Sequence, residues 1–363
     1  MEVWERARRL IERLSPPLVV MHWDMDGVAA ASLVARASGR PGEAGFLTPR
    51  FRYAFDKPFL DRARGEARGR RLLAVVDLAV PGGSVDLLHR YTGRPAVVVD
   101  HHTQPEPPRL PSVAYVNPAA RGDPAGNWPS AAHVVASLTG VGDPLLVAAS
   151  IVGDLGPAAR ANRWYQNYMV RAGLHPVEDY WLPAECASLV DAASAMGRAD
   201  VLEALAARLA GAEEPCRLIL QDGLLQALRV EAQEELERLL SRAEGLAEEP
   251  VPGVLLYRLE GRGRHASKLA RELARRHPDR VVVVAYRSAA TGEERVYART
   301  YMRGAPPLGS RANIARLRSR GYSAGGKSQG ANNVLAVEAP PGRLGDALAE
   351  VLSVLRDALG VRS

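Results

Sequence analysis

The first chemically suggestive stretch of the chain is a short polar segment near the N-terminus, where one imidazole and two carboxylates alternate. Residues 18–21 are apolar, and His22, Asp24 and Asp26 follow at every second position before Gly27. Alternate residues of a strand share one face, so His22 and Asp24 are expected to point the same way. Three oxygen and nitrogen donors this close together favour binding of a divalent cation.

Further apolar segments run into the same kinds of side chain. These polar residues are Asp77, Asp100, His101, His102 and Asp154. Any one of these aspartates could be explained as the N-cap of the helix that follows its strand. N-capping does not explain why all of them, together with three histidines, follow apolar segments. Carboxylates gathered at one sheet edge would repel one another unless a cation neutralised them.

The mixture of histidine and aspartate suits Mn²⁺, with Mg²⁺, Co²⁺ or Zn²⁺ as alternatives. The number of carboxylates predicts two ions that share a bridging aspartate. Two ions about 4 Å apart can activate a water and stabilise the oxyanion on an attacked phosphorus. The predicted reaction class is therefore hydrolysis of a phosphoester or phosphoanhydride.

The elements that must position these residues follow an α/β pattern. Short β-branched runs alternate with helical patterns over residues 1–157 and predict a doubly wound parallel sheet. Residues 158–249 are predicted to form a helical connector, and residues 250–363 a smaller α/β domain. The stretch 321–330 is glycine-rich and is predicted to be a loop. A chain of 363 residues is expected to contain more than one domain.

The composition narrows the class of protein. Apolar residues make up 47% and charged residues 24%, as in soluble globular proteins. No apolar run approaches the roughly 18 residues of a membrane span, and the N-terminus lacks the pattern of a secretion signal. We expect a cytoplasmic protein with no membrane partner.

Cys186 and Cys216 lie far apart, which favours buried structural thiols over a disulfide framework or a zinc cluster.

The charge is unevenly distributed along the chain. Residues 251–363 contain 20 basic and 9 acidic residues, whereas residues 1–250 contain 27 basic and 32 acidic ones. A basic C-terminal region next to an acidic N-terminal one predicts that a polyanion is held beside a metal-binding cluster.

The polar segments together resemble the four motifs of the DHH phosphoesterase superfamily. The matching segments are His22-x-Asp24-x-Asp26-Gly27, Val75-Val76-Asp77, Asp100-His101-His102 and Gly153-Asp154, with Asn117-Pro118 and Pro129-Ser130 as linking landmarks. The C-terminal region resembles the DHH-associated domain of the same proteins. Its arginine-containing strand and Gly-Gly-His loop would fall at Arg303 and at Gly325-Gly326-Lys327, where a lysine replaces the usual histidine.

The resemblance implies a role for each residue. One Mn²⁺ would be held by His22, Asp24 and Asp77. The other would be held by Asp26, Asp77, His101 and Asp154, so that Asp77 bridges. Asp100 would orient an imidazole, and His102 would contact the scissile phosphate or assist the leaving group. A metal-activated hydroxide would be the nucleophile, and Arg303, Gly325, Gly326 and Lys327 would bind the end of the substrate.

By this resemblance the chain is a RecJ-like, Mn²⁺-dependent exonuclease that hydrolyses single-stranded DNA or RNA from an end. It looks most similar to compact archaeal or oligonucleotide-degrading members. One alternative is a phosphodiesterase of short oligonucleotides or cyclic dinucleotides. An alternative of another class is a non-catalytic RecJ-like subunit that assembles with replication or repair proteins. The intact ligand set argues against that subunit, and the basic C-terminal region argues against an inorganic pyrophosphatase.

A further aromatic segment has two interpretations. Trp164, Tyr165 and Tyr168 lie close in sequence to Arg160 and Arg163. The rings could stack on nucleic-acid bases beside phosphate-binding arginines. Packing of an aromatic helix face in the protein interior is at least as good an explanation.

Overall fold

The computed structural model describes residues 2–49, 55–102, 107–329 and 332–360. The chain divides into two compact units, of which unit 1 comprises residues 1–194 and 198–229 and unit 2 comprises residues 195–197 and 230–363. The helices between residues 158 and 229 belong to unit 1. The division into a catalytic domain, a helical connector and a substrate domain stays a prediction.

Unit 1 contains a parallel sheet of five strands. The strands are β1 (Pro17–Met21), β2 (Gly45–Leu47), β3 (Leu72–Val76), β4 (Ala96–Val99) and β5 (Val113–Val116). Their spatial order is β2-β1-β3-β4-β5, and each neighbouring pair is parallel. The predicted doubly wound parallel sheet is confirmed. The chain leaves β1 toward one side and returns to β3 on the other, so the topological switch point lies between β1 and β3, where such folds bind ligands.

Helices surround this sheet and continue beyond it. In chain order they are α1 (Glu2–Arg13), α2 (Met25–Ala37), α3 (Lys57–Glu66), α4 (Gly82–Thr92), α5 (Ala131–Thr139), α6 (Pro144–Leu155), α7 (Arg163–Arg171), α8 (Trp181–Ala195), α9 (Ala199–Gly211), α10 (Pro215–Leu220) and α11 (Gly223–Ala243). The segment at the C-terminal end of unit 1 is thus almost entirely helical, as its Ala/Leu/Glu/Arg composition predicts.

The junction of β1 and α2 is where the polar N-terminal segment lies. All five residues of β1 are buried. The side chain of Asp24 accepts a hydrogen bond from the Gly27 backbone N–H at 3.0 Å and caps α2. A Cβ on Gly27 would lie 2.4 Å from the carbonyl oxygen of His22. Only glycine therefore lets the first turn of α2 pack this closely against the end of β1.

Unit 2 is built on a mixed sheet of six strands. They are β6 (Glu248–Val251), β7 (Val254–Gly261), β8 (Val281–Ser288), β9 (Glu294–Thr300), β10 (Ser323–Gln329) and β11 (Asn332–Ala339), in the order β10-β11-β9-β8-β7-β6. The pair β7–β8 is parallel and the other pairs are antiparallel.

Unit 2 also contains the part of α11 from residue 230 onward and three further helices: α12 (Ala266–Arg276), α13 (Arg311–Ser319) and α14 (Leu344–Leu359). Helix α12 packs with Val282 and Val284 in one apolar cluster, and α14 packs with Val281 and Val283 in another. Because alternate residues of β8 belong to different clusters, the helices cover opposite faces of the sheet.

The glycine-rich stretch predicted as a loop over residues 321–330 is mostly strand β10, so that prediction is wrong. Gly325 and Gly326 pair with Ala336 and Leu335 of β11. A Cβ on Gly326 would lie 2.4 Å from the carbonyl oxygen of Val334. Here glycine permits close approach of backbone within a hairpin, whereas composition alone indicates a flexible loop.

Within the described ranges, no helix combines the length and apolar character needed to cross a membrane.

The junction of β1 and α2 can be tested by adding one methyl group. We expect Gly27→Ala to lower the free energy of unfolding by about 1–3 kcal/mol, because the new Cβ has no space beside His22. The matched control is Gly65→Ala in α3, where nothing lies within 4 Å of an added Cβ. That change should raise stability by about 0.5–1 kcal/mol. Urea unfolding monitored by circular dichroism measures both, and equal effects would contradict the prediction.

Candidate metal centre

Three polar residues extend the sheet of unit 1 by one position each. The backbone N–H groups of His22, Asp77 and Asp100 donate to carbonyls of the neighbouring strands at 3.3, 3.0 and 3.0 Å. The ladder therefore holds these residues at the carboxyl edge of β1, β3 and β4. Parallel strands end at one edge, so the fold brings together side chains that are up to 78 positions apart in sequence.

Asp77 lies at the centre of the cluster and is 1% exposed. Its φ is 56°, in the left-handed region, which aspartate and asparagine tolerate better than most residues. Its carboxylate oxygens lie 3.6 Å from His22 Nδ1, 3.5 Å from His101 Nε2 and 3.6 Å from His102 Nδ1. Within the described part of the chain, neither oxygen accepts a hydrogen bond. A buried carboxylate in this condition lacks a partner that a cation can supply.

The first group of possible ligands consists of His22, Asp24 and Asp77. One donor atom from each lies within 4.8 Å of the others. His22 Nδ1 is 2.6 Å from Asp24 Oδ2, while Asp24 Oδ1 is occupied by the N-cap of α2. The cap fixes the carboxylate, so that its second oxygen faces the imidazole.

The second group consists of Asp26, His101 and Asp154, again with donor atoms within 4.8 Å. His101 Nε2 is 3.0 Å from Asp154 Oδ2 and 3.7 Å from Asp26 Oδ2. Asp26 is fully buried and accepts the backbone N–H groups of Ala131 and Ala132 at 2.6 and 2.8 Å. Asp26 therefore holds the first turn of α5 and faces the cluster at the same time. Asp154 reaches the cluster from the last turn of α6.

Asp100 is fully buried and organises the two adjacent histidines. Its Oδ1 accepts the backbone N–H groups of His101 and His102 at 2.7 and 3.0 Å, and it lies 2.9 Å from His102 Nδ1. The side chain of His102 is 40% exposed, whereas that of His101 is 12% exposed. Asp100 thus orients an accessible imidazole at the edge of the cluster.

Two supporting contacts escape reasoning from residue types alone. His101 Nδ1 lies 3.1 Å from the backbone carbonyl of Trp128, which can only accept a hydrogen bond. In the neutral ring Nδ1 therefore carries the proton, and Nε2 is the nitrogen that can offer a lone pair to a cation. Asn117 donates from Nδ2 to the carbonyl of His102 at 2.8 Å. The Asn117-Pro118 landmark marks Asn117 in the sequence but does not say what it contacts. No pattern of side chains predicts a contact made by a backbone carbonyl such as that of Trp128.

The pKa values of the cluster indicate that its buried carboxylates have too little positive charge near them. Burial and the Asp154 carboxylate raise the pKa of Asp26 to about 7. Burial and the neighbouring charges of Asp26 and Asp24 raise the pKa of Asp77 well above its usual range. Burial opposes ionisation of His101, but the carboxylates of Asp154 and Asp77 outweigh it and raise the pKa of that imidazole. The three raised pKa values have one cause, a set of buried carboxylates whose charge a cation would neutralise.

Two of the carboxylates have the opposite shift. Burial would raise the pKa of Asp24, but the charge of His22 and its hydrogen bond lower it overall. Burial would likewise raise the pKa of Asp100, and the hydrogen bond and charge of His102 lower it. Asp24 and Asp100 are therefore ionised at neutral pH, each beside its own imidazole.

The residues predicted to bind substrate lie in unit 2. Arg303 is exposed and follows β9 in a turn, so it is not in the expected strand. Gly325, Gly326 and Lys327 lie in β10, and the side chain of Lys327 falls outside the described part of the structure. Their role in substrate binding stays a prediction.

A family model matches the region that contains the cluster. Residues 17–150 match the DHH family, N-terminal domain. No curated protein matches the chain.

Solved structures share the fold of the whole chain at low sequence identity. RecJ from Thermus thermophilus in complex with Mn²⁺ aligns with a TM-score of 0.68 and 18% identity, covering 98% of this chain and 55% of that one. An exonuclease RecJ bound to manganese aligns with a TM-score of 0.59 and 18% identity, covering 99% and 97%. A DHH domain from a family of ribosomal proteins aligns with a TM-score of 0.63 and 15% identity, covering 97% and 89%.

This chain spans about half the length of the Thermus RecJ chain. At these identities the structural likeness establishes a common fold. Residues 17–150 therefore match an N-terminal domain of the DHH family, and the chain as a whole has the RecJ-like fold.

Proposed function

We propose that this chain is a divalent-metal-dependent phosphodiesterase that hydrolyses single-stranded DNA or RNA from an end. The observation that carries the proposal is the buried carboxylate of Asp77, which two groups of potential ligands approach from either side. Both of its oxygens are without a hydrogen bond among the described residues. A structural aspartate would be expected to have such bonds.

The donor set fits two divalent cations. His22, Asp24 and Asp77 would hold one of them, and Asp77 would also bridge to the second. The ligands of that second ion would be Asp26, Asp77, His101 and Asp154. Carboxylate and imidazole donors suit Mn²⁺, with Mg²⁺ or Co²⁺ as alternatives. Bound there, the two ions would neutralise the buried carboxylates and supply an activated water and charge stabilisation for attack on a phosphodiester.

The chain's own residues would orient the substrate and move a proton. His102 is the most accessible imidazole of the cluster, and Asp100 fixes it through Nδ1. Burial would lower the pKa of His102, but the hydrogen bond and charge of Asp100 outweigh it and raise that pKa. The ring is therefore a good donor to a phosphate oxygen or to a leaving alkoxide. The hydrogen bond from His101 Nδ1 to the Trp128 carbonyl turns Nε2 toward the cluster, which suits a metal ligand rather than an acid.

A nucleic-acid substrate is supported by two observations. The fold is shared with two RecJ structures, one of them described as an exonuclease bound to manganese. The C-terminal region is strongly basic, which suits a polyanion. In this proposal Arg303, Lys327 and the backbone of Gly325 and Gly326 contact the phosphate at the end of the strand.

The activity is tested with one end-labelled strand, prepared as DNA and as RNA in long and five-nucleotide forms, with Mn²⁺. We expect stepwise release of mononucleotides from the long strands. Asp77→Asn should lower the rate at least about 100-fold, because it removes a shared ligand. Cleavage confined to the short forms would favour the short-oligonucleotide alternative. No cleavage with Mn²⁺, Mg²⁺ or Co²⁺ would contradict the proposal that the chain is an enzyme and would favour a non-catalytic subunit.

Metal binding can be read from stability without measuring activity. Asp77→Asn should raise the melting temperature of the metal-free protein by about 2–8 °C, because a neutral amide avoids the cost of burying an ionisable carboxyl group against the charges of Asp26 and Asp24. Asparagine also tolerates the left-handed backbone at this position. The same variant should lose most of the stabilisation that Mn²⁺ gives to the wild type.

The matched variant is Asp26→Asn, which should lower the metal-free melting temperature. An amide NH₂ would face one of the two N–H donors of α5 that Asp26 accepts. Differential scanning fluorimetry with chelator and with Mn²⁺ measures both variants. Two variants that shift in the same direction would show that the two carboxylates do not have the separate roles assigned to them.

The raised pKa of Asp26, about 7, predicts how metal-free stability depends on pH. Between about pH 4 and 7 the folded protein binds a proton that the unfolded chain has released, so stability falls as the pH rises through this range. His101, whose pKa is also raised, contributes in the same direction. Melting temperatures from pH 5 to 8 should fall with chelator and should not fall with saturating Mn²⁺. A flat metal-free profile would contradict the prediction.

A further inference from the structure

Three tryptophans and one histidine form a continuous row of ring contacts in unit 1. The ring centroids of Trp4 and Trp128 are 5.4 Å apart, those of Trp128 and His133 are 5.4 Å apart, and those of His133 and Trp164 are 4.6 Å apart. His133 is 1% exposed, whereas the three indoles are half-buried. The row therefore presents indole surface to solvent above a buried imidazole.

The buried side of the row is uncharged and hydrogen-bonded. His133 Nδ1 lies 2.9 Å from the hydroxyl of Tyr168, which is 6% exposed. Burial lowers the pKa of His133 to about 4, so the ring is uncharged at neutral pH. Tyr165 is fully buried. The two tyrosines are thus part of the interior of unit 1, and only Trp164 of the aromatic segment remains available to a ligand.

One end of the row carries positive charge. The guanidinium of Arg163 lies 5.1 Å from the ring centroid of Trp164 and donates to Asn127 Oδ1 at 2.9 Å. This contact holds an exposed cation beside an indole face. At the other end Trp4 lines a surface cleft with two glutamates and one arginine, so that end is acidic on balance. A polyanion would therefore favour the end formed by Trp128 and Trp164.

The same end adjoins the candidate metal centre through the backbone. The carbonyl of Trp128 accepts the Nδ1–H of His101, whose opposite nitrogen faces Asp154 and Asp77. The indole of Trp128 thus belongs to the residue directly behind a proposed metal ligand. The main chain of Trp128 therefore connects this end of the row to the candidate metal centre.

We propose that the half-buried indoles of Trp128 and Trp164, together with Arg163, form a stacking site for a nucleobase of a single-stranded substrate. The inference rests on the proposed function and adds a contact site in unit 1 to the contacts proposed in unit 2. Every base has a flat face, so an indole platform with an adjacent guanidinium binds strands with little regard to sequence. Half-buried indoles next to an exposed guanidinium fit a base and its phosphate better than they fit an apolar protein surface.

The experiment combines a change in the protein with a change in the substrate. Hydrolysis of a five-nucleotide strand is compared with that of an abasic strand of the same length, in the wild type and in Trp164→Leu. We expect kcat/KM for the base-containing strand to fall about 5- to 150-fold in the variant, the range for loss of one stacking contact. The abasic strand should be unaffected, and Trp164→Phe should restore much of the loss.

Two controls separate stacking from damage to the fold or the metal centre. Trp181→Leu changes an indole that is 62% exposed outside the row and should leave both strands unaffected. The rise in melting temperature that Mn²⁺ gives should be the same in Trp164→Leu and the wild type, because Trp164 is not among the proposed metal ligands. The stacking site is overturned if Trp164→Leu lowers both strands equally or changes neither.

The outcome also distinguishes this inference from the proposed function. If the wild type cleaves neither strand, the proposed function fails, and equilibrium binding of the same strands is measured by fluorescence anisotropy. Weaker binding of the base-containing strand alone in Trp164→Leu would then support the stacking site. Equal binding of both strands, or no binding, would overturn it.

Discussion

Repulsion between buried carboxylates is the constraint on which the rest of unit 1 depends. Asp26 and Asp77 are almost completely excluded from water, and acidic neighbours raise the pKa of each. Such a cluster is costly without a cation, so the surrounding structure has to hold it in place. The neighbouring strands fix the backbone at each strand end, and two helix N-termini fix Asp24 and Asp26.

The parallel sheet makes this concentration of charge possible. Its switch point lies between β1 and β3, where connections leave in opposite directions and open a crevice at the carboxyl edge. His22 and Asp77 follow these two strands directly. The left-handed backbone of Asp77 is a local strain of the kind found at functional sites. Asp77 belongs both to the group with His22 and Asp24 and to a further group of possible ligands with His101 and His102.

Much of this is predictable from the sequence, and the failures have physical causes. Apolar runs bounded by polar residues predict β3, β4 and the helices α2 and α14, because burial on both faces or on one stripe leaves a strong periodic signal. Strand β2 has only three residues, which are too few to show a periodic pattern of apolar residues. Strand β10 escapes prediction because its glycines serve close pairing of backbone, which composition does not distinguish from flexibility. The residue types predict which side chains gather in the cluster. They do not predict that the Trp128 carbonyl contacts His101 or that Arg303 lies in a turn, because both depend on the path of the backbone.

The hydrogen bonds of Asp26 have a consequence for how such proteins can diverge. This carboxylate is tied to the start of α5, whereas the imidazole of His102 is accessible and lies at the edge of the cluster. A relative without catalytic activity could lack His102 at little structural cost, whereas replacing Asp26 would destabilise a helix. Because Asp26 has this structural role besides the one proposed for it, its presence alone is a poor marker of activity.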